Sequence, residues 1–422
     1  MDTPSGKRAK AMDAAEDRFS DLPDEVRHHV LSFLPARDAA RTCVLSPMWR
    51  QLWASAPRLN VDAKGFTSQS SFVEFVNALL VSRGCIPLES FWLRANGPGI
   101  FLENFRDNTN MWIRYALSSN VEELGIDDYN QNDRYGDMKN PIEFFFIQHC
   151  PFTSSYLKKL HLCYVYINSR GLKKLFSGCP VLEDLEMINC EIFHTENFGG
   201  QPEFSSALLK SLSIEYVDFP YAGGYVMSDC YIVINMPSLV SLHVGTLLGF
   251  TLLSLVDVQS LITTAIVLNT SIDTFADCCK ILGALSNVKK LELLFPYDLG
   301  WKYSMQDDTH LCGVVFTNLL TLSLSDWCLY DNCKLLLYLL EHSPNLEKLA
   351  LKMMLEPRFH GNIGLSCSAA TVDSAKPFIC EKLRKVEIVC SKGDKIVGRL
   401  VTILLTKMKS PPEINIKPLS GV

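Results

Sequence analysis

The chain is short of the signatures that carry chemistry. Its 422 residues contain no G-x-x-x-x-G-K-[ST], no G-x-G-x-x-G and no G-x-S-x-G. That removes the usual phosphate loops and the strained nucleophile turn. None of the nine histidines lies in H-E-x-x-H, and the fifteen cysteines, scattered from Cys43 to Cys390, never form C-x-x-C. Asp307-Asp308-Thr309-His310-x-Cys312 comes nearest to a metal cluster but lacks a second ligand pair. Positive charge is short as well: Lys+Arg 40 against Asp+Glu 46 leaves −6, which excludes a grip on nucleic acid through bulk basicity. The opening Met1-Asp2-Thr3-Pro4-Ser5-Gly6-Lys7-Arg8 lacks the apolar core of a secretory signal. The cysteines are therefore read as small buried hydrophobes in a reducing compartment, cytoplasmic and/or nuclear, not as a disulfide frame. No cofactor, metal site or catalytic residue is expected.

Apolar material, by contrast, is plentiful at 48%, enough for a large core. From Tyr231 to Val256 there is no Asp, Glu, Lys or Arg, a run longer than the ~20 residues that span a bilayer. Asn235, Pro237, His243, two glycines and several serines break it into short apolar runs, so successive buried strands are expected and no membrane span. Residues 1–17 are small and polar, a disordered tail in which Lys7, Arg8 and Lys10 are thin support for a nuclear-import signal.

Residues 18–57 read as three short helices. Pro23 can open the first without losing a hydrogen bond, with Asp24 and Glu25 in its first turn and Val26, Val30, Phe33 and Leu34 on one face. Asp38 can cap the second, and Ser46-Pro47 can start the third, which carries Trp49, Leu52 and Trp53. So small a unit cannot cover all its apolar residues, which implies a partner.

From Leu88 to Ile388 the template L-x-x-L-x-L recurs eleven times, a degenerate Leu261-x-x-Thr264-x-Ile266 included. The period of about 29 residues is that of leucine-rich repeats. Each triplet predicts a short parallel strand that only stacking can bury, with helices or loops between strands. A doubly wound α/β sheet also alternates strand and helix, but it does not require the same triplet each time. The expected class is α/β: an N-terminal three-helix unit, then an irregular solenoid with its parallel sheet on the concave side. The expected divisions are 1–17, 18–57, 58–375 and 376–422.

Leu22-Pro23-Asp24-Glu25-Val26, Val30-Leu31-Ser32-Phe33-Leu34-Pro35, Arg37-Asp38-Ala39-Ala40-Arg41-Thr42, Val44-Leu45-Ser46 and Trp49-Arg50-x-Leu52-Trp53 resemble an F-box. The repeats, above all Cys179-Pro180-Val181-Leu182-Glu183-Asp184-Leu185-Glu186-Met187 and Ser343-Pro344-Asn345-Leu346, resemble those of plant F-box leucine-rich-repeat proteins. Cys380 to Leu405 is similar to the terminal FBD region of that group. The resemblance implies a non-catalytic substrate receptor of an SCF-type ubiquitin ligase, with a Skp-family adaptor, through it a cullin, and an unknown target protein as partners. The alternative is a leucine-rich-repeat scaffold or inhibitor acting outside ubiquitination. Carried onto this sequence, the adaptor face would be Leu22, Pro23, Val30, Leu31, Leu34, Pro35, Leu45, Trp49, Leu52 and Trp53. Val26, Phe33, Cys43 and Val44 are expected to hold the helices together. Pro47-Met48 departs from the pattern, where basic residues are usual.

Side chains alternate across a strand, so residues between the repeat aliphatics share the opposite face. His161, Asp184, Glu186, Ser213, His243, Lys290, Glu292, Ser323 and Lys348 are the target-binding candidates on it. Their mixed sign suits a protein partner better than phosphates. Two polar insertions, 127–137 with Tyr129 and Tyr135, and 295–310 with Tyr297, Trp301 and Tyr303, are further candidates.

Overall fold

Three short helices open the chain. The computed structural model describes residues 22–45, 47–95, 105–127, 145–146, 152–193, 203–215, 230–245, 251–267, 275–294, 313–325, 330–353, 380–391, 395–408 and 410–419. Helix α1 (Asp24–Ser32) follows Pro23, whose ring fixes φ near the value a first helical turn needs. Helix α2 (Ala36–Arg41) follows Pro35, so it begins two residues ahead of the expected cap. Asp38 instead lies inside the first turn and pairs with Arg41 at 3.2 Å. Helix α3 (Pro47–Ala54) starts on Pro47.

The next segment runs β1 (Arg58–Asp62), α4 (Gln69–Arg83), β2 (Ser90–Arg94), α5 (Phe105–Ser118), β3 (Glu123–Asp127) and β4 (Phe145–Phe146). The middle holds β5 (Lys159–Cys163), β6 (Val165–Asn168), α6 (Ser169–Gly178), β7 (Asp184–Ile188), β8 (Glu191–Phe193), β9 (Glu203–Ser205) and β10 (Ser211–Glu215). After these come β11 (Cys230–Asn235), β12 (Ser241–Val244), β13 (Thr251–Asp257), β14 (Thr263–Val267) and α7 (Phe275–Ala284). The chain closes with β15 (Lys290–Leu294), β16 (Thr321–Ser325), α8 (Tyr330–Glu341), β17 (Lys348–Lys352), β18 (Lys385–Cys390), α9 (Lys395–Lys407) and β19 (Glu413–Pro418).

Thirteen of these strands form one parallel sheet, in the order β1-β2-β3-β5-β7-β10-β12-β14-β15-β16-β17-β18-β19. The register never slips: Leu124 faces Leu160, then Leu185, Leu212 and Leu242 along successive strands. In this sheet, from β1 to β18, the second and fourth residues of each strand are no more than 5% exposed. An aliphatic pair on a five-residue strand has no other way to leave water than to lie against the pairs above and below it. Helices α4 and α5 cover the first pairs. Phe72 meets Trp112 edge-on at 5.6 Å, and the indole Nε1 of Trp112 donates to Asn77 Oδ1 at 2.7 Å.

Helices or loops were expected between the repeat strands, and two regions hold further strands instead. These form two three-stranded parallel sheets, β4-β6-β8 and β9-β11-β13. The β-branched Ile232, Val233 and Ile234 of β11 favour that outcome. The strands described within the charge-free run from 231 to 256 are β11, β12 and β13. Among the described residues no helix is long and apolar enough to cross a membrane. Cys179, Cys190, Cys380 and Cys390 are buried free thiols, and Cys279 is disulfide-bonded. The 1–17 tail, the polar insertions beyond Asp127 and the 307–312 cluster lie outside the described residues.

The degenerate repeat is a real strand, β14, with Thr264 in the leucine slot, 1% exposed. Among the described residues its hydroxyl has no hydrogen-bond partner. An unsatisfied buried polar group costs about 1–3 kcal/mol, and valine fills the same volume. Thr264→Val is therefore expected to raise the unfolding free energy by about 1 kcal/mol or more, read from the urea midpoint. A lower midpoint would show that the hydroxyl is satisfied.

Candidate functional site

Helix α1 is apolar on two sides, and only one can face inward. Leu31, Ala39, Trp49 and Leu52 close a small core, with Leu34, Met48 and Trp53 packed against it. His28 Nε2 ties α1 to α3 through Leu52 O at 3.2 Å and Ser55 Oγ at 3.1 Å. That leaves Val26, Val30 and Phe33 on the outer side, and Val44 and Leu45 beyond α2. Phe33 is 71% exposed, Val44 86% and Leu45 66%.

Burial divides the ten residues read as an adaptor face. Pro23, Val30 and Leu45 are exposed, and Leu22, Leu34, Pro35 and Trp53 are half-buried. Leu31, Trp49 and Leu52 are buried and hold the unit together. Val26, Phe33 and Val44, expected between the helices, stand outside. Periodicity marks α1 as apolar but does not say which of its two apolar sides the short partner helices can reach.

The unusual Pro47-Met48 pair has a local cause. Pro47 is exposed at the first position of α3, where its missing N–H costs nothing. Met48 is half-buried, and its sulfur accepts from the Arg27 guanidinium, which also pairs with Asp24 at 2.6 Å. A basic residue at 48 would set a second cation against Arg27.

The unit is joined firmly to the sheet. Ala36 belongs to the large core, and Trp53 touches both cores. Arg37 donates to Gly65 O and lies over the Phe66 ring at 4.5 Å. Arg83, 2% exposed, donates to Ala56 O at 2.8 Å and Trp53 O at 3.2 Å. Its cation sits at the C-terminal end of α3, where helix carbonyls favour positive charge.

The second surface is the open face of the large sheet, built from the first, third and fifth residues of each strand. The register brings Trp92, Gly125 and His161 side by side on β2, β3 and β5. A Cβ on Gly125 would lie 2.2 Å from the Trp92 ring, so glycine is what lets the indole cross β3 and stack on His161 at 5.0 Å. His161 Nδ1 in turn meets Glu186 Oε2 at 2.8 Å, and its Nε2 lies 3.6 Å from Glu123. Gly245 does the same for Glu215, whose carboxylate occupies the space of the absent Cβ and meets His243 Nε2 at 2.8 Å.

At the other end Glu387 is ringed by Lys348 at 2.8 Å, Lys385 at 2.9 Å and Lys417 at 3.8 Å. Hydrogen bonds from Lys348 and Lys385 push its carboxyl down to about 2. Lys352 pairs with Glu292, which also accepts from Ser323 Oγ at 3.5 Å. All nine target-binding candidates therefore fall on one face, in register. Sequence reading missed Trp92, Glu215 and Lys352. Trp92 sits inside the Phe91–Leu93 pair of a known triplet and was legible there, whereas the other two lie beyond the triplet.

The Cys163 thiol is raised to about 12, chiefly by burial, and is no thiolate near neutral pH. Among the described residues no three His, Cys, Asp or Glu side chains are placed to hold a metal ion.

The F-box domain family matches residues 19–60. F-box/LRR-repeat protein At3g58940 of Arabidopsis thaliana is 27% identical over 68% of this chain and 52% of its own length. F-box/LRR-repeat protein At4g14096 of the same plant is 33% identical over 41% of this chain and 40% of its own. The chain thus spans about half or less of these two relatives. F-box/FBD/LRR-repeat protein At4g00160, also from Arabidopsis thaliana, is 31% identical over 80% of this chain and 72% of its own length.

The Glu215 hydrogen bond, with added attraction from Glu292 and Glu186, holds the His243 pKa above its ordinary 6.5. A raised imidazole pKa adds stability that is fully present below 6.5 and is lost as pH rises through the folded value. Glu215→Gln is expected to lower the His243 titration midpoint toward 6.5, read by NMR of the imidazole protons, and to flatten the pH dependence of stability there. An unmoved midpoint would remove Glu215 as the cause.

Proposed function

The chain belongs to the plant F-box/LRR-repeat family, and on that premise we propose that it is the non-catalytic target receptor of an SCF-type ubiquitin ligase. The F-box docks on a Skp-family adaptor, the adaptor connects to a cullin, and the open sheet face holds the protein to be ubiquitinated. The observation that carries this reading is the exposure of Phe33, Val44 and Leu45 on a unit whose own core is already closed. Exposed aromatic and aliphatic side chains on so small a unit are kept from water most readily by a protein partner. The docking face is accordingly drawn from Pro23, Val30, Leu45 and the newly exposed Val26, Phe33 and Val44, with Trp49 and Leu52 shaping it from within. The reading places the protein in the cytoplasm or nucleus, where such ligases work, and calls for no cofactor. Pro47-Met48, the departure that keeps a scaffold outside ubiquitination as the alternative, is engaged within the unit by Arg27.

Phe33→Ser/Leu45→Ser is expected to weaken adaptor binding by about 2 kcal/mol or more, roughly thirty-fold, with an unchanged melting temperature. Trp49→Ala should lose binding and F-box helicity together. Calorimetry with a purified Skp-family adaptor decides. Wild-type affinity in the double variant would remove the docking face.

A further inference from the structure

We propose that the open sheet face takes one extended, charge-segregated polypeptide, its basic stretch over β3 to β12 and its acidic stretch over β15 to β19. This rests on the reading of that face as the target-holding surface, and it specifies the target's chemistry. The unbroken register fixes which charges share the face. Across β3, β5, β7, β10 and β12 it carries Glu123, Asp127, Asp184, Glu186 and Glu215 against Lys159 and the histidines His161 and His243, which are bonded to Glu186 and Glu215. Across β15 to β19 the balance reverses: Lys290, Lys348, Lys352, Lys385 and Lys417 stand against Glu292, Glu387 and Glu413. Between them β14 presents only Thr263, Ala265 and Val267. Ahead of this stretch β1 and β2 carry Arg58, Asp62 and Arg94 on the same face; from β3 to β19 the sign changes once, across a neutral strand, so this stretch has a direction.

The two ends also differ in the side chains that line them. At the acidic end the Trp92 indole is seated over Gly125 and stacked on His161, which makes a rigid wall beside the carboxylates. At the basic end the lysines are long side chains gathered around Glu387 and Glu292 and can turn outward to a ligand carboxylate. Length follows from the same ladder. Eleven strands separated by ~4.8 Å make a path of ~48 Å, which an extended chain of ~15 residues covers. A nucleic acid is disfavoured, because its uniform negative charge would meet five carboxylates first. A polypeptide whose lysines and carboxylates are sorted into two blocks meets opposite charge along its whole length.

The test uses the full chain with its adaptor and two fluorescein-labelled peptides of about 16 residues and identical composition. One has four Lys-Ser repeats followed by four Glu-Ser repeats; the other alternates Lys and Glu. At about 50 mM salt the blocked peptide is expected to bind about ten-fold more tightly by anisotropy, with the preference fading near 500 mM. Asp184→Lys/Ser213→Lys, which cuts the net charge of the acidic half from −4 to −1, is expected to abolish the preference. Equal binding of the two peptides overturns the proposal, as does a preference that survives the double variant. Adaptor binding is measured on the same preparations. A chain that holds the adaptor but shows no block preference sinks this inference and leaves the receptor reading standing. A chain that fails to hold the adaptor sinks the receptor reading, and the peptide result still decides the polarity of the face.

Discussion

One constraint governs the molecule: a five-residue strand with two aliphatic side chains on one face cannot hide them by itself. Every pair from Phe91 and Leu93 to Val386 and Ile388 leaves water because another pair lies on each side. Such an array has a problem at its ends, where the first and last pairs have one neighbour each. The chain solves the two ends differently. At the start α2 lies against β1 and lends Ala36 to the large core. At the finish β19 takes the burden, and its Ile416 stays 53% exposed. The first strand is well buried because a folded unit covers it.

The same alternation that buries the aliphatics exposes the residues between them, so packing decides the composition of the open face. Two glycines show how tightly it is built. Gly125 and Gly245 each give up a side chain so that a neighbour's large group can cross the ladder and engage a histidine. Alanine would be the ordinary small residue in a strand, and at 125 its Cβ would run into the Trp92 ring, while at 245 it would displace the Glu215 carboxylate from His243. The His161 and His243 clusters are therefore products of strand register, and a one-residue slip would dissolve them.

How much of this could be read from the sequence depends on how local the signal is. Eleven strands followed from the L-x-x-L-x-L triplet because its three aliphatics are all buried. The strand β1 escaped because Ala56, 5% exposed, stands where the leading leucine belongs, and β19 escaped because Pro411 does. The extra sheets escaped because β-branched runs between repeats carry no triplet. In the three-helix unit the apolar residues were found but several were turned the wrong way. Phe33 and Leu31 sit two residues apart on one short segment, and only the tertiary partners decide which goes inside. Trp92, Gly125 and His161 are separated by more than thirty residues each, and no sequence window contains their contact.

The junction between the two surfaces follows from the end problem. Covering β1 with a tethered unit would leave its pair exposed whenever the tether opened, so the cover has to be fixed. Arg83 supplies that fixing. It is buried, and it binds the carbonyls of Trp53 and Ala56, at the end of one unit, from a helix that packs the first repeats of the other. A buried guanidinium holds its place only while its acceptors hold theirs, since an unpaired buried charge costs several kcal/mol. The F-box unit and the sheet are thus bound to one orientation by the same packing that stabilises the sheet's first strand. If the sheet face holds a target while the F-box holds an adaptor, the direction from one to the other is set by folding, and the charge order along the ladder decides which end of the target lies nearer the adaptor.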